Sequence, residues 1–546
     1  MVTRRSRIQF TLWAPQNKIM KLILNNRLKN FIIIFTLSII FGYFFSTIYD
    51  FEQRAVDSAL VYSKIVTYPD EISPMKEYFL KSWTLLHQIS NFLLFFNWSF
   101  SSVSKLLIFL ITVIYFVGIT LAVKSATKSI YLSVLVSLMI LIFQKNFGDA
   151  DYPTLFFSEH SYGMFSLAIV TCIFGCLLSG NLFFAGLITS ILIGVHPIIG
   201  IWMLGIILFS LLINKLSSKF TLNKKKILVG LLSGIIITAI SLVYHFVSME
   251  EFSSSFDPGS YNNYMQYWEG HRNESGYHFE YFVKTLILFI FGILCLKVFY
   301  NKFDENFKFG IICVLSSIIL STFFYFLFKF FHPYIPDLVL RTMPTRFATL
   351  HSVIGWPLLL GILFVLAKEF SKKSGHILII FIIVVYSISH HKVFFKLHNL
   401  FIKNTSNQIE SIEETNFWNG IKEIKSNGYI LTTYSTSVVS MRKSLKPILL
   451  DVTSFDFVPY YPNTAKNLSR IIENVYGIPF DSPPSNIANQ PFLLDEDIKS
   501  NFENYSEEKW KELSQDYNFF GIIVPLNWHI NLLPSRKSKK FAFYIL

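Results

Sequence analysis

Long apolar runs separated by short polar segments fill the first 390 residues of the chain. A helix needs about 20 mostly apolar residues to cross the roughly 30 Å of hydrocarbon in a bilayer. Eleven runs are candidate spans, and several of them are short. They are 31–48, 106–123, 130–143, 163–178, 182–195, 198–213, 227–246, 285–299, 310–328, 350–366 and 376–389. The pattern predicts an α-helical bundle that passes through a membrane about eleven times.

The boundary inside 182–213 is set by His196-Pro197, which interrupts one long apolar run. Proline ends a helix more often than it bends one, because it lacks an N–H and clashes with the preceding turn. Two short helices joined at this pair are therefore predicted.

Charge placement predicts the orientation. Residues 1–49 carry seven basic side chains and no acidic one, and residues 214–226 carry five lysines and no acid. Loops 50–105 and 247–284, on the other side of the bundle, are rich in acids. Basic loops remain in the cytoplasm. The N-terminus is therefore predicted inside, and eleven crossings place the C-terminus outside.

The chain divides into three predicted parts. A cytoplasmic basic segment (1–30) precedes a transmembrane domain (31–389), and an extracytoplasmic linker with a small α/β domain (390–546) follows. In the last part, mixed charges and alternating short patterns predict helices and strands. The predicted helices are 407–427 and one capped by Ser506, and the predicted strands are 429–433, 447–450, 519–524 and 541–546.

Composition supports the membrane class. Hydrophobic residues make up 52% of the chain and charged residues 15%, whereas soluble domains carry about 25% charged residues. A soluble enzyme, a disordered chain and a disulfide scaffold are excluded. The net charge of +13 is explained by the basic cytoplasmic loops, so no nucleic-acid partner is predicted.

Asp50, directly after the first span, is the first acid in the chain. A carboxylate fixed at this boundary could act as a general base at the membrane surface. The alternative is an ordinary acid where the chain leaves the membrane. The nearby Asp57 is expected to be solvated or paired with Arg54.

A second polar loop contains Asp149-Ala150-Asp151, followed by Glu159-His160. Two carboxylates at i and i+2 in a turn could present oxygens to a hard divalent cation such as Mg²⁺ or Mn²⁺. His160 could be a ligand or a donor to a phosphate. An acidic turn that caps the next helix, with an interfacial histidine, is the alternative.

Arg341 and Arg346 lie among prolines just before the tenth predicted span. Arginine on the outer face runs against the usual charge bias, and two of them could hold a phosphate or pyrophosphate. Pairing with Asp337 or a lipid headgroup is the alternative. The aromatic cluster that includes Tyr264 and Trp268 is predicted to be an interfacial belt, and a sugar-stacking surface is the other possibility.

These features together resemble the GT-C superfamily of membrane glycosyltransferases that use polyprenyl-phosphate sugars, which includes oligosaccharyltransferase catalytic subunits and protein O-mannosyltransferases. Asp50 matches the acid after the first span by position, and Asp149-Ala150-Asp151 matches the second acidic motif by position and type. The tail lacks a Trp-Trp-Asp motif, so transfer to peptide sequons is not expected. The chain is most similar to a bacterial branch of the superfamily.

The resemblance implies an enzyme of the inner (cytoplasmic) membrane. It would transfer a sugar from a lipid-linked donor to a glycan, lipid or protein acceptor, with Asp50 as base and Arg341, Arg346 and His160 near the donor phosphate. A divalent cation on Asp149 and Asp151 is part of the same expectation. Three alternatives remain open: a metal-independent polysaccharide polymerase or ligase that uses the outer-loop arginines, a transporter of lipid-linked sugars, and a non-catalytic scaffold.

Overall fold

The structure, a computed structural model, describes residues 28–49, 53–70, 73–143, 161–217, 223–248, 255–273, 279–298, 300–370, 374–406 and 412–546. The helices before residue 250 are α1 (Leu28–Ile48), α2 (Arg54–Tyr62), α3 (Pro74–Lys81), α4 (Leu85–Phe95), α5 (Phe100–Thr127), α6 (Ile130–Ile142), α7 (Ser161–Leu178), α8 (Leu182–Val195), α9 (Pro197–Ser217) and α10 (Lys224–Ser248). Those that follow, up to residue 406, are α11 (Pro258–Tyr267), α12 (Gly270–Asn273), α13 (Phe279–Lys297), α14 (Glu305–Phe331), α15 (Asp337–Arg341), α16 (Pro344–Phe347), α17 (Ser352–Phe370), α18 (Ser374–Ser389) and α19 (His391–Ser406).

The chain is a multi-pass helical membrane protein. Within the described ranges, seven helices are long and apolar enough to cross a bilayer: α1, α5, α7, α9, α10, α14 and the stretch Pro344–Glu369. An eighth is obtained if α18 and the first part of α19, which are bent by 67° at their junction, are counted as one span. The predicted helical bundle is confirmed.

The predicted number of spans is not confirmed. Each of the eleven predicted runs overlaps a helix, but α6 has 13 residues and α8 has 14. At 1.5 Å per residue such helices are about 20 Å long, less than the hydrocarbon thickness. Run length alone therefore places the helices correctly without establishing which of them cross.

The break at His196-Pro197 is confirmed, since α8 ends at Val195 and α9 begins at Pro197. The His196 ring contributes to the new helix, because its Nδ1 accepts a hydrogen bond from the Ile199 N–H at 3.4 Å. One orphan N–H of the first turn of α9 is thereby satisfied.

Glycines allow the membrane helices α8 and α10 to pack backbone against backbone. A Cβ added at Gly186 of α8 would overlap the Ile227 carbonyl of α10, and one at Gly230 of α10 would overlap the Phe183 carbonyl of α8. Small residues at such positions let helices approach closely where no hydrophobic effect drives association. The α8–α10 contact therefore depends on these glycines.

The C-terminal domain consists of α20 (Ile412–Lys422), β1 (Tyr429–Leu431), α21 (Ser437–Ser444), α22 (Ala465–Asn474), α23 (Asp495–Asn504), α24 (Glu507–Tyr517), β2 (Phe519–Pro525), β3 (Arg536–Lys537) and β4 (Phe541–Ile545). Its sheet has the order β1-β2-β4-β3, with β1 parallel to β2 and the other pairs antiparallel. The predicted cap is confirmed, because Ser506 Oγ accepts from the Lys509 N–H at 3.2 Å.

The secondary structure of this domain departs from the prediction in two ways. The stretch 447–450 forms only an isolated bridge, between Ile448 and Ile430, where a strand was predicted. Helices α21, α22 and α23 were not predicted. In α22 the apolar positions Leu468, Ile471 and Ile472 do recur at helical spacing and are buried, so the sequence carried a signal for this helix that the prediction did not use.

A buried ion pair joins the domain to the first segment after α1. Arg442 of α21 donates from Nε and Nη2 to the two carboxylate oxygens of Asp57 in α2, at 2.6 and 2.8 Å. Both side chains are more than nine-tenths buried. Next to them, Arg54 donates to Thr453 Oγ1 at 2.8 Å. Asp57 is therefore buried rather than solvated, and its bidentate partner comes from the C-terminal domain. The charge of Arg54, the predicted partner, opposes the rise in the pKa of Asp57 that burial causes.

The same domain covers the aromatic cluster before α13. The Tyr264 hydroxyl donates to the Phe455 carbonyl and the Trp268 indole N–H to the Phe480 carbonyl, both at 2.8 Å. Both rings are fully buried. The predicted interfacial belt is wrong for these two residues, which are domain contacts. The two acidic loops therefore lie on the same face as the C-terminal domain.

Loss of the Asp57 carboxylate is expected to destabilise the docked domain strongly. Asp57→Ala leaves the Arg442 guanidinium buried without its counter-ion, which typically costs about 3–5 kcal/mol. Thermal unfolding of the purified protein measures this. The control is Glu507→Ala, which removes the exposed partner of Lys511 and should leave the midpoint unchanged. Equal effects of the two substitutions would contradict the role of the Asp57–Arg442 pair.

Candidate functional site

The candidate site lies where the helix ends meet the C-terminal domain. Asp50, Asp149, Asp151 and His160 fall outside the described residues, so their roles remain predictions. The residues that directly follow their two segments are described, and they are in contact: the Ala55 N–H donates to Ser161 Oγ at 2.9 Å. Beside this contact, the Gln53 N–H donates to Ser104 Oγ at 3.1 Å.

The two predicted phosphate-binding arginines contact different neighbours. Arg341 donates from Nη2 to the Tyr261 hydroxyl at 3.2 Å, and its guanidinium lies 5.5 Å from the centre of that ring. Its Nε is buried without a hydrogen-bond partner in the described part of the chain. Arg341 is thus held by α11, which packs on the domain, rather than by Asp337, the alternative partner that the sequence suggested.

Arg346 lies by the junction of α8 and α9. Its guanidinium is 5.9 Å from the centre of the Phe347 ring, and that ring packs edge-on against His196 at 5.3 Å. The arginine therefore stands beside the histidine that interrupts the two helices.

His87 forms a polar connection that the sequence analysis missed. Thr84 caps α4 by accepting from the His87 N–H at 3.2 Å, which sets the imidazole at the start of the helix. The ring bonds the Ser82 carbonyl through Nδ1 at 3.0 Å and the Tyr162 hydroxyl through Nε2. In the neutral tautomer, Nδ1 donates to the carbonyl and Nε2 accepts from the phenol.

This connection reaches from α4 to the start of α7. Tyr162 is the second residue of α7, and it follows directly the Ser161 that binds Ala55. Two hydrogen bonds, His87–Tyr162 and Ser161–Ala55, therefore connect His87 to the residues that follow Asp50 in the sequence. A histidine-glutamine pair within an otherwise apolar stretch of loop 50–105 was the available signal in the sequence.

A cavity of about 110 Å³ opens beside His87, between the α3–α4 segment and the end of α10. His245 of α10 lies in its wall. The Tyr62 hydroxyl donates to the Leu80 carbonyl at 3.0 Å and lies 2.5 Å from His245 Nδ1, so it accepts from that nitrogen. The cavity is therefore bordered by two histidines from different elements, each with a fixed orientation.

Farther along the same face, a second ion pair is entirely buried. Arg272 of α12 pairs with Glu269, and its guanidinium lies 5.1 Å from the centre of the Tyr460 ring of the domain. This arrangement strengthens the contact of the 255–273 segment with the domain. Within the described ranges, no group of three or more His, Cys, Asp or Glu residues is placed to hold a metal ion.

The stability of the protein is expected to fall in mild acid because of His87. Burial lowers the pKa of His87 from 6.5 to about 4. The folded state keeps the ring neutral while the unfolded chain protonates it. The contribution of neutral His87 to the free energy of unfolding is therefore complete above pH 6.5. It decreases by about 3 kcal/mol as the pH falls towards 4.

Thermal unfolding from pH 8 to pH 4 tests this expectation. His87→Gln should flatten the acid side of the profile, whereas His398→Gln, at an exposed histidine of α19, should leave it as in the unmodified protein. An unchanged acid limb in His87→Gln would refute the assignment.

Comparison with known proteins adds little to this geometry. No protein-family model matches the chain, and no curated protein matches it. Among solved structures, it is similar to the apo form of an oligosaccharyltransferase from Archaeoglobus fulgidus, with 9% identity and a TM-score of 0.40 over 90% of this chain and 69% of that one.

Proposed function

We propose that this protein is a membrane glycosyltransferase that transfers a sugar from a lipid-phosphate donor to an acceptor on the face that carries the C-terminal domain. The observation that carries the proposal is the Ala55–Ser161 hydrogen bond. It joins Ala55, which follows the segment that bears Asp50, to Ser161, which follows the segment that bears Asp149 and Asp151. This contact supports the proposal that the acids of the two loops act together in acid–base and phosphate chemistry.

The proposed orientation follows from charge. The C-terminal domain contacts parts of the two predicted outer loops, 53–70 and 255–273, through Asp57, Tyr264 and Trp268. We assign the basic segments 1–49 and 214–226 to the cytoplasmic side, because Lys and Arg are enriched in cytoplasmic loops. We therefore place the domain outside the inner membrane, with the N-terminus inside and with the short α6 and α8 counted among eleven crossings.

In the proposed reaction, Asp50 removes the proton of an acceptor hydroxyl. The acceptor oxygen bonds to the anomeric carbon of the donor sugar, and the bond from that carbon to the phosphate oxygen breaks. The lipid phosphate leaves with the electron pair. Arg341 and Arg346, with His160, offset its negative charge. A divalent cation on Asp149 and Asp151 would add positive charge at the same place.

Replacement of Asp50 tests the proposal. Asp50→Asn removes the base and keeps the size of the side chain, so transfer from a lipid-linked sugar should fall about 10²- to 10⁴-fold. Asp70→Asn, at an exposed acid of the same outer segment, is the matched control and should retain the full rate. Transfer in reconstituted vesicles by Asp50→Asn at the rate of the control would exclude the mechanism.

Replacement of Arg346 and chelation together distinguish the proposal from a metal-independent polymerase or ligase. A charged hydrogen bond to phosphate contributes about 1.5–3 kcal/mol, so Arg346→Gln should slow transfer about ten- to hundredfold, while the exposed Arg470→Gln should not. Loss of activity on chelation and in Asp149→Asn supports the cation on the acidic loop. Full activity in both, with loss in Arg346→Gln, indicates the polymerase or ligase.

A further inference from the structure

We propose that the cavity between the α3–α4 segment and the end of α10 binds one neutral sugar residue. Its role as the subsite for the sugar of the acceptor rests on the proposed function, whereas the binding itself does not. Three properties of the cavity support the proposal: the chemistry of its wall, the polar groups that remain for a ligand, and its position.

The wall of the cavity is polar and uncharged. Rings of Tyr62, Trp83 and Tyr244 border it, together with the imidazoles of His87 and His245, two carboxamides and several hydroxyls. Among the described residues that line it there is no Asp, Glu, Lys or Arg. A phosphate or carboxylate would lack a counter-charge in this place, and a lipid tail would leave polar groups without partners. Aromatic faces combined with neutral donors and acceptors suit a hydroxyl-rich ligand.

Most polar groups of the wall are fixed by the protein. The Trp83 indole N–H donates to Ser241 Oγ at 3.1 Å, and Gln88 Nε2 donates to the Ser241 carbonyl at 2.9 Å. The Ser241 hydroxyl in turn donates to Gln88 Oε1 at 2.5 Å. These bonds tie α4 to α10 and keep the cavity from closing. A wall held in this way is organised before a ligand arrives.

Asn91 and Tyr244 are among the groups that remain for a ligand. Neither side chain forms a hydrogen bond to another described residue, and both line the cavity. Asn91 offers one acceptor and two donors from a planar carboxamide, which matches two adjacent hydroxyls of a sugar ring. Tyr244 is 59% exposed, so its ring stands where a ligand would enter.

The position of the cavity connects it to the proposed reaction. His87, in its wall, bonds Tyr162, and the neighbouring Ser161 bonds Ala55 five residues after Asp50. A volume of about 110 Å³ holds several water molecules or much of one sugar ring. The cavity is therefore connected by two hydrogen bonds to Ala55, which is close to the proposed base in the sequence.

Binding of free monosaccharides to the full-length protein in nanodiscs tests the inference without any donor lipid. The probes are glucose, galactose, mannose and N-acetylglucosamine, with glucose 6-phosphate and glucuronate as charged analogues. Saturation-transfer NMR gives the affinities. At least one neutral sugar should bind saturably and more tightly than both charged analogues.

Asn91→Ala is the diagnostic variant, because alanine favours the helix that asparagine disfavours and the fold should survive. It should weaken binding of the neutral sugar about tenfold, as expected for the loss of two hydrogen bonds. Asn399→Ala, at an exposed position of α19, is the matched control and should bind as the unmodified protein does. Tyr244→Ala should also weaken binding.

Three results would overturn the inference: no saturable binding of any neutral sugar, equal affinity in Asn91→Ala and Asn399→Ala, or tighter binding of a charged analogue. Asp50→Asn separates this inference from the proposed function. If that variant binds sugar normally but does not transfer it, both stand. If transfer depends on Asp50 while sugar binding does not depend on Asn91, the subsite is wrong and the transferase remains.

Discussion

The position of the C-terminal domain depends on the ion pair between Asp57 and Arg442. Burial raises the pKa of Asp57, and the bidentate contact with the Arg442 guanidinium opposes that rise. A buried pair of this kind adds little net stability over an apolar contact of the same shape, but either half alone is costly. It therefore selects one way of docking the domain, since any other arrangement buries a charge without its partner.

This docking brings together the elements of the candidate site. It sets α2 against the domain, and α2 begins beside the Ala55–Ser161 contact that links the two acid-bearing segments. The same helix ends at Tyr62, which contacts His245 in the wall of the cavity. One short helix thus connects the Ala55–Ser161 contact to the cavity, and the domain holds its first half through Arg54 and Asp57.

The sequence predicted the helices of the membrane domain because apolar run length is a local property, and it predicted the break at His196 because proline acts locally. It could not predict the partner of Asp57, since Arg442 is 385 residues away, nor the burial of Trp268, which depends on the domain that covers it. The role of His87 was missed for the same reason. Its significance depends on Tyr162 and on α10, and neither adjoins it in the sequence.

The glycine-mediated contact between α8 and α10 determines which wall of the cavity is able to move. Two backbones in direct contact shift as one body, so Tyr244 and His245 at the end of α10 keep their positions relative to α8. Any widening to admit a bulky molecule must come from displacement of the α3–α4 segment instead, which breaks the hydrogen bonds of Trp83 and Gln88 to Ser241. Those bonds therefore limit the size of the molecule that the entrance admits.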